Sequence, residues 1–257
     1  MPTWDPKLYL QFAGERTQPS VDLIARINGA REPARIIDLG CGPGNSTAML
    51  RQRWPQADII GLDSSAEMIA AASQAYPTEK WVLADAASWT AETPFDLVFA
   101  NASLQWVPEH QGLFPRLMAQ LAPGGILAVQ MPSHFESPLH QVMLEIADDD
   151  LWRERMVGPR NALTNESASF YYDVLQPLAA SLDIWQTEYF HRVDGAQAVV
   201  EWFRGTGMRP FLEALESEEQ KRLFEHRVLD GYRRAYPIQK DGRLLFPFRR
   251  LFIVARK

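Results

Sequence analysis

Cysteine is almost absent from this sequence, since its 257 residues contain only Cys41. A lone thiol cannot form an intrachain disulfide, and one cysteine with five scattered histidines shows no spacing typical of zinc ligands. The Gly-x-Ser-x-Gly motif of the α/β-hydrolase nucleophile is lacking as well. We therefore expect no disulfide framework, no metal site and no serine hydrolase chemistry.

Long apolar runs and an excess of positive charge are also missing. No stretch of about 18 apolar residues could span a bilayer, and residues 1–5 lack the charged and then apolar pattern of a signal peptide. The formal net charge of −6 disfavours general affinity for nucleic acid or for an anionic membrane. We expect a cytoplasmic protein with neither of these as a partner, and its oligomeric state stays open.

The stretch Ile36–Gly44 is the most informative part of the sequence. A short apolar run ends in Asp38, and Gly40, Gly42 and Gly44 then lead into a segment of helical composition. This order predicts a strand, a glycine turn and the start of a helix. Glycine permits positive φ and lets a ligand lie against bare backbone, so the turn is a candidate ligand site.

Two later apolar runs also end in acids, at Asp63 and Asp85. Asp63 follows the glycine turn at about the distance at which a βαβ unit places the carboxylate that binds ribose hydroxyls. Three strands that each end in an acid predict a nucleoside site.

The spacing of the loop indicates which nucleoside cofactor it suits. A dinucleotide loop reads G-x-G-x-x-G and offers N–H groups to a pyrophosphate, whereas this loop reads G-x-G-x-G and follows Asp38. A carboxylate there would repel a pyrophosphate and would suit a ligand that carries an ammonium group, such as the methionine part of S-adenosylmethionine. These features count against a nicotinamide-dependent dehydrogenase.

The loop Asp38–Gly44, reading Asp-Leu-Gly-Cys-Gly-Pro-Gly, resembles that of the class I S-adenosylmethionine-dependent methyltransferases. The resemblance implies S-adenosylmethionine as cofactor and S-adenosylhomocysteine as product. It also implies that Asp63 binds both ribose hydroxyls, that Asp85 binds the adenine amine, and that Ala86 binds the ring through its N–H. The expected cofactor-binding residues are Asp38, Gly40, Cys41, Gly42, Asp63, Ser64, Met68, Asp85, Ala86, Asn101 and Arg16.

The expected roles of three of these residues depend on where they lie in the predicted fold. Met68 is expected on the first turn of a helix, where the family packs a residue against adenine, although core packing is the commoner role of such a methionine. Asn101 ends the fourth strand, where it either caps a loop or lies near the sulfonium, and ligands at the carboxyl ends of strands favour the second role. Arg16 shares a predicted helical face with Tyr9 and Phe12, on a helix that covers the cofactor pocket in the family.

The alternation of strands and helices up to Met131 predicts a parallel, doubly wound sheet. We expect an α/β, Rossmann-like, mostly parallel seven-stranded sheet with a C-terminal antiparallel hairpin and a helical cap, and a helix capped by Ser20. The whole chain is predicted to be one methyltransferase domain. Its parts are a cofactor-binding core with an N-terminal lid at 1–131, cap inserts at 132–181 and 194–243, and closing strands at 182–193 and 244–257.

The residues after the fourth strand indicate which kind of atom accepts the methyl group. Asn101–Leu104 replaces the Asn/Asp-Pro-Pro-Tyr pattern of enzymes that methylate amide or base nitrogens, which makes a nitrogen acceptor less favoured. Segments along the whole chain resemble members of the class that esterify a small tricarboxylate, giving a monomethyl ester. These segments are Trp4–Pro6, Leu8–Leu10, Asn101–Trp106, Ala128–Pro132, Thr206–Pro210 and Leu251–Arg256.

A carboxylate acceptor determines which residues are needed. It is ionised at neutral pH and attacks a sulfonium methyl without a general base, so we expect positioning rather than a catalytic acid or base. Arginine matches a carboxylate through its planar fork. The expected acceptor-binding residues are Tyr9, His134, Arg160, Tyr171, Trp202 and Arg209, with Arg16 facing either the cofactor carboxylate or the acceptor.

Two other functions stay open from the sequence. One is a methyltransferase that acts on another small carboxylic acid or on a quinone precursor. The other is a nucleotide-binding module without catalytic activity.

Overall fold

A computed structural model describes residues 13–28, 32–164 and 166–257. Within these ranges the chain forms a seven-stranded sheet of order β3-β2-β1-β4-β5-β7-β6, with helices between the strands. The expected fold class is confirmed. The strands are β1 Arg35–Leu39, β2 Asp58–Asp63, β3 Lys80–Leu83, β4 Phe95–Asn101, β5 Leu121–Pro132, β6 Ser181–Val193 and β7 Leu244–Arg256.

The first five strands are parallel, and the last two are antiparallel to their neighbours. β1 lies between β2 and β4, with Ile37 opposite Ile60 on one side and Val98 on the other. Because the strand order reverses beside β1, the carboxyl ends of β1, β2 and β4 form a crevice, the usual ligand position in open α/β sheets. β7 lies between β5 and β6 and extends the sheet on the other side.

The helices bury the sheet on both faces. One face packs a cluster that includes Phe114 and Tyr171, and the other packs a cluster that includes Leu50 and Trp54. A third cluster, built around Phe224, fills the cap. The helices are α1 Ala13–Arg26, α2 Asn45–Arg53, α3 Ala66–Ala75, α4 His110–Ala119, α5 Pro138–Ala147, α6 Val157–Arg160, α7 Ala168–Leu175, α8 Ala196–Arg204, α9 Arg209–Glu213 and α10 Glu218–Ala235.

The structure corrects one predicted helix start. α1 runs continuously from Ala13 to Arg26, so Ser20 lies inside a helix and is fully buried instead of capping one. Packing of Leu23, Ile24 and Ile27 against the sheet stabilises the segment as one helix despite Pro19. No helix in the described ranges combines the length and the hydropathy needed to cross a bilayer.

Candidate active site

The glycine turn after β1 is tightly packed at Gly40 and open at Gly42. Gly40 and Gly42 both have positive φ, 68° and 55°. A Cβ on Gly40 would lie 2.3 Å from the Cβ of Ser103, while a Cβ on Gly42 would meet no atom within 4 Å. Gly40 therefore lets the loop after β4 pack against the turn, where the Ser103 hydroxyl donates to the Leu39 carbonyl at 2.6 Å. Gly42 leaves open space above the turn.

Asp38 lies beneath this turn and does not line the cavity above it. Its Oδ2 accepts hydrogen bonds from the Ser46 hydroxyl at 2.6 Å and from the Thr47 hydroxyl at 2.7 Å. Oδ1 has no hydrogen-bond partner within the described part of the chain. Burial raises the pKa of this carboxyl to about 6. Hydroxyls on the first turn of α2 hold the carboxylate, so Asp38 ties the glycine turn to α2, and its contact with a cofactor stays a prediction.

Cys41 is also absent from the cavity wall. Its thiol is buried, and a Cβ on Gly61 of β2 would lie 3.0 Å from its sulfur. Burial raises the pKa of the thiol far above its ordinary value. The side chain of Cys41 fills space between β1 and β2, and the expected contact of this residue with a cofactor stays a prediction.

Asp63, at the end of β2, faces the cavity and is held by backbone. Its Oδ2 accepts from the Gly42 N–H at 2.9 Å, and its Oδ1 accepts from the Ser65 N–H at 2.8 Å. Burial raises the pKa of this carboxyl, while the backbone donors act in the opposite direction. A carboxylate offers about four lone-pair positions. The lone-pair positions that the backbone donors do not use are left for hydroxyl groups of a ligand.

The cavity at the carboxyl ends of β1, β2 and β4 has a volume of about 420 Å³. We call the part near the glycine turn its cofactor end. Eight of the expected cofactor-binding residues line the cavity, and their contacts with a bound cofactor stay a prediction. They are Gly40, Gly42, Asp63, Ser64, Met68, Asp85, Ala86 and Asn101.

The local structure explains the placement of three of these side chains. Ser65 caps α3 by accepting from the N–H of Met68, which puts Met68 at the cavity wall. The Asp85 Oδ1 accepts from the Ala87 N–H at 2.8 Å, which fixes this carboxylate at the start of the loop after β3. Asn101 ends β4, and its Oδ1 has no hydrogen-bond partner within the described residues.

The rest of the cavity wall includes Trp106, Arg209 and Glu213, and we call this part its acceptor end. Arg209 is only 8% exposed, and its guanidinium carbon lies 5.4 Å from the centroid of the Trp106 ring. Its Nε lies 3.7 Å from Oε1 of Glu213. Burial lowers the pKa of Arg209, yet an arginine keeps its charge in a protein. The acceptor end therefore presents a buried cation on an aromatic surface.

The sequence prediction included Arg209 but missed its two neighbours. Trp106 was visible as part of the segment after β4, at the end of the sheet where ligands bind. Glu213 lies one helical turn after Arg209, a spacing that predicts contact between the two side chains but not which of them faces a ligand.

A second, smaller cavity adjoins the acceptor end, and we call it the inner chamber. Its volume is about 60 Å³, and it shares Ala102 and Trp106 with the main cavity. His134 and Trp202, both expected at the acceptor, line the inner chamber and not the main cavity, as do Gln105, Phe203, Thr206, Phe248 and Arg250.

Two expected acceptor-binding residues lie elsewhere. Tyr171 is fully buried in the core, and its hydroxyl lies 2.6 Å from Nδ1 of His110. Arg160 donates from Nη2 to Oδ1 of Asp148 at 2.6 Å. Neither residue lines either cavity, because each side chain is engaged by a neighbouring group, and their contacts with an acceptor stay predictions. Tyr9 and the side chain of Arg16 lie outside the described residues.

Comparisons with known proteins identify the family of this chain. A sequence model described as a methyltransferase domain matches residues 36–125. The chain is 49% identical over 255 residues to trans-aconitate 2-methyltransferase of Azoarcus sp. (strain BH72), covering 99% of each chain. It is 46% identical over 257 residues to the enzyme of the same name from Escherichia coli O157:H7, covering 100% of this chain and 99% of the relative.

The chain belongs to the trans-aconitate 2-methyltransferase family. Identity of this size along the full length includes the cap as well as the cofactor end. The expected enzyme class, a methyltransferase that depends on S-adenosylmethionine, is confirmed, and so is the narrower resemblance to this family.

A solved structure supports the fold alone. Phosphoethanolamine N-methyltransferase 2 of Haemonchus contortus, solved in complex with S-adenosyl-L-methionine, is similar with a TM-score of 0.60. The two sequences are 14% identical, and the match covers 97% of this chain and 56% of the other.

Proposed function

We propose that this protein transfers the methyl group of S-adenosylmethionine to one carboxylate of trans-aconitate, giving a monomethyl ester and S-adenosylhomocysteine. The observation that carries the proposal is the placement of Arg209. A buried guanidinium lies at the acceptor end of a cavity whose cofactor end carries Asp63 and Asp85. The guanidinium of Arg209 attracts an anionic acceptor to the part of the cavity that it lines, although Oε1 of Glu213 lies 3.7 Å from its Nε.

The cofactor end fits S-adenosylmethionine, which supplies an electrophilic methyl group when bound. The space above Gly42 would take the methionine part against backbone, and the open lone pairs of Asp63 suit the ribose hydroxyls. Asp85 and Ala86 would bind the adenine edge, and Met68 would pack against its ring; all three line the cavity. Asn101, at the end of β4, also lines it and would lie near the transferred methyl group.

At the acceptor end, the side chains orient a nucleophile that is already charged. A carboxylate of trans-aconitate is ionised at neutral pH, so no base has to remove a proton. Arg209 provides a planar fork for two-point contact with a carboxylate, and Trp106 provides a flat wall for the unsaturated carbon skeleton. Placing the reacting atoms about 3–3.5 Å apart contributes roughly 7–11 kcal/mol in favourable cases.

The test is a transfer assay with methyl-labelled S-adenosylmethionine and a panel of acids, phenols and quinone precursors. We expect label to enter trans-aconitate and to be released by mild base, as from an ester. Label that enters only another small acid would replace the acceptor and keep the reaction class. If acids are inert while a phenol or quinone precursor is methylated, the carboxyl assignment is wrong. Binding of cofactor without transfer to any acceptor would indicate a non-catalytic module.

A further inference from the structure

The inner chamber has the size of one small polar group. A cavity needs about 10–15 Å³ for each water molecule that it holds. The inner chamber, with a volume of about 60 Å³, therefore accommodates a carboxylate but not a whole tricarboxylate. Its walls are mostly aromatic, with Trp106, Trp202, Phe203 and Phe248 around it. A charged group that enters this chamber leaves most of its water behind and therefore needs strong partners.

The charge of the chamber differs from that of the main cavity. Arg250 of β7 lines it, is 5% exposed, and has its guanidinium carbon 4.1 Å from the centroid of the Phe248 ring. No aspartate or glutamate within the described residues lines the chamber. The main cavity is lined by Asp63, Asp85 and Glu213 beside its one described arginine. Of the two spaces, the chamber is the more favourable for an anion.

His134 adds a hydrogen-bond donor to this cation. Its ring is 3% exposed and packs 4.8 Å from Phe248 and 5.3 Å from Phe203, measured between ring centroids. Neither ring nitrogen has a hydrogen-bond partner within the described part of the chain. Burial, together with the nearby charges of His140 and Arg250, keeps the pKa of His134 well below its ordinary value, so the ring is neutral and carries one N–H. A buried donor of this kind is costly until an acceptor binds it.

The chamber adjoins the acceptor end. Ala102 and Trp106 belong to the walls of both spaces, and the guanidinium of Arg209 lies over the ring of Trp106. Trp106 therefore contacts Arg209 and also forms part of the chamber wall. A small molecule with two or more carboxylates can place one near Arg209 and another in the chamber.

We propose that the inner chamber is a second carboxylate subsite, in which Arg250 and His134 bind a carboxylate of the acceptor that is not methylated. This inference rests on the proposed function and makes it more specific. It assigns Arg250 and His134 to acceptor selection and leaves the orientation of the reacting carboxylate to Arg209. Acids with a single carboxylate are then poor acceptors, because they cannot occupy both positions.

The test uses Arg250→Met and His134→Phe with Arg249→Met as a matched control. Arg249 is adjacent on β7, but its side chain is 46% exposed and pairs with Glu188. The phenylalanine at position 134 keeps the aromatic packing and removes both ring nitrogens. KM and kcat are measured with trans-aconitate and with three acids that each lack a different one of its carboxylates, namely mesaconate, cis-glutaconate and itaconate. Calorimetry then measures binding of the same acids to the protein saturated with S-adenosylhomocysteine.

We expect Arg250→Met to weaken trans-aconitate binding about 10- to 100-fold and His134→Phe about 3- to 10-fold. The affinity for S-adenosylhomocysteine and the melting temperature of His134→Phe should match those of Arg249→Met. The acid that lacks the chamber carboxylate should bind the two chamber variants as weakly as it binds the native protein. Equal losses for all four acids, or no loss, would overturn the subsite even where the native protein methylates trans-aconitate. A native protein that is inactive on every acid would instead refute the proposed function. If Arg250→Met does not fold, His134→Phe decides the matter alone.

Discussion

The two ends of the main cavity are built in different ways. At the cofactor end, glycines and acids follow the first three strands in sequence order. Nearby backbone fixes the acids that line the cavity, as the N–H groups of Gly42 and Ser65 fix the carboxylate of Asp63. At the acceptor end and in the inner chamber, Trp106, Arg209 and Arg250 come from segments far apart in the sequence. The first end is determined by local backbone geometry, and the second depends on how the cap packs against β5 and β7.

The largest effect that would separate the two ends is expected from Asp63→Ala. The substitution removes a carboxylate that accepts two backbone N–H groups and, by our proposal, two ribose hydroxyls, with bonds to a charged group contributing roughly 1.5–3 kcal/mol each. We expect S-adenosylhomocysteine to bind at least about 100-fold more weakly by calorimetry. Asp58→Ala is the control, because Asp58 begins the same strand and pairs with Lys80 away from the cavity. A loss below about threefold would remove Asp63 from the cofactor site.

Arg209→Met should affect the other end. Loss of the buried guanidinium on Trp106 removes a two-point contact with the acceptor, and we expect the KM for trans-aconitate to rise about 10- to 100-fold. The KM for S-adenosylmethionine should change less than about twofold. Arg204→Met, which breaks an ion pair with Glu225 in the cap, controls for general damage to the cap. Equal changes in both KM values would mean that the two ends do not act separately.

The cofactor end was largely predictable because its signals are local. An apolar run, an acid and a glycine turn follow each other within a few residues, so the amino-acid order alone places Gly42 and Asp63 at one edge of the sheet. Arg160 and Arg209 illustrate the opposite case. Both are arginines of the predicted cap, yet Asp148 holds the first and the second lines the cavity. No local pattern distinguishes them, because the difference arises from packing between distant helices.

Asp38 shows a limit within the predictable end. The sequence placed it correctly at the end of β1, but not the direction of its side chain. The hydroxyls of Ser46 and Thr47 on α2 draw the carboxylate under the turn. Its position could be predicted from strand periodicity, while its orientation depends on which hydroxyls the next helix presents.

Asp38→Asn tests the burial of this carboxylate through the pH dependence of stability. Burial raises the folded-state pKa to about 6 from 3.8, so the folded protein holds a proton that the unfolded chain has already lost. The free energy of unfolding of the native protein therefore falls as pH rises from about 4 to 6. Between pH 4.5 and 7 we expect the native protein to lose about 2 kcal/mol relative to Asp38→Asn in urea unfolding. A difference that does not vary with pH would contradict the raised pKa.

The smallest effects on activity are expected from Tyr171→Phe and Arg160→Ala, which lie outside both cavities. Tyr171→Phe removes the hydrogen bond to His110 and should cost about 1 kcal/mol of unfolding free energy. Arg160→Ala breaks a partly exposed ion pair, which contributes less than about 1 kcal/mol. Neither KM should change more than about twofold in steady-state assays. A tenfold rise in the KM for trans-aconitate would return the residue concerned to the acceptor site.

The position of β7 has a consequence for how the protein is made. β6 pairs with β7 and with no other described strand, and β7 also closes the exposed side of β5. During synthesis, the outer backbone groups of β6 therefore stay without a strand partner until α8, α9, α10 and β7 have been made. An unpaired strand of this kind favours mispairing between chains. The strand that ends this exposure also brings Arg250 to the wall of the inner chamber, so the proposed carboxylate subsite is complete only when β7 has joined the sheet.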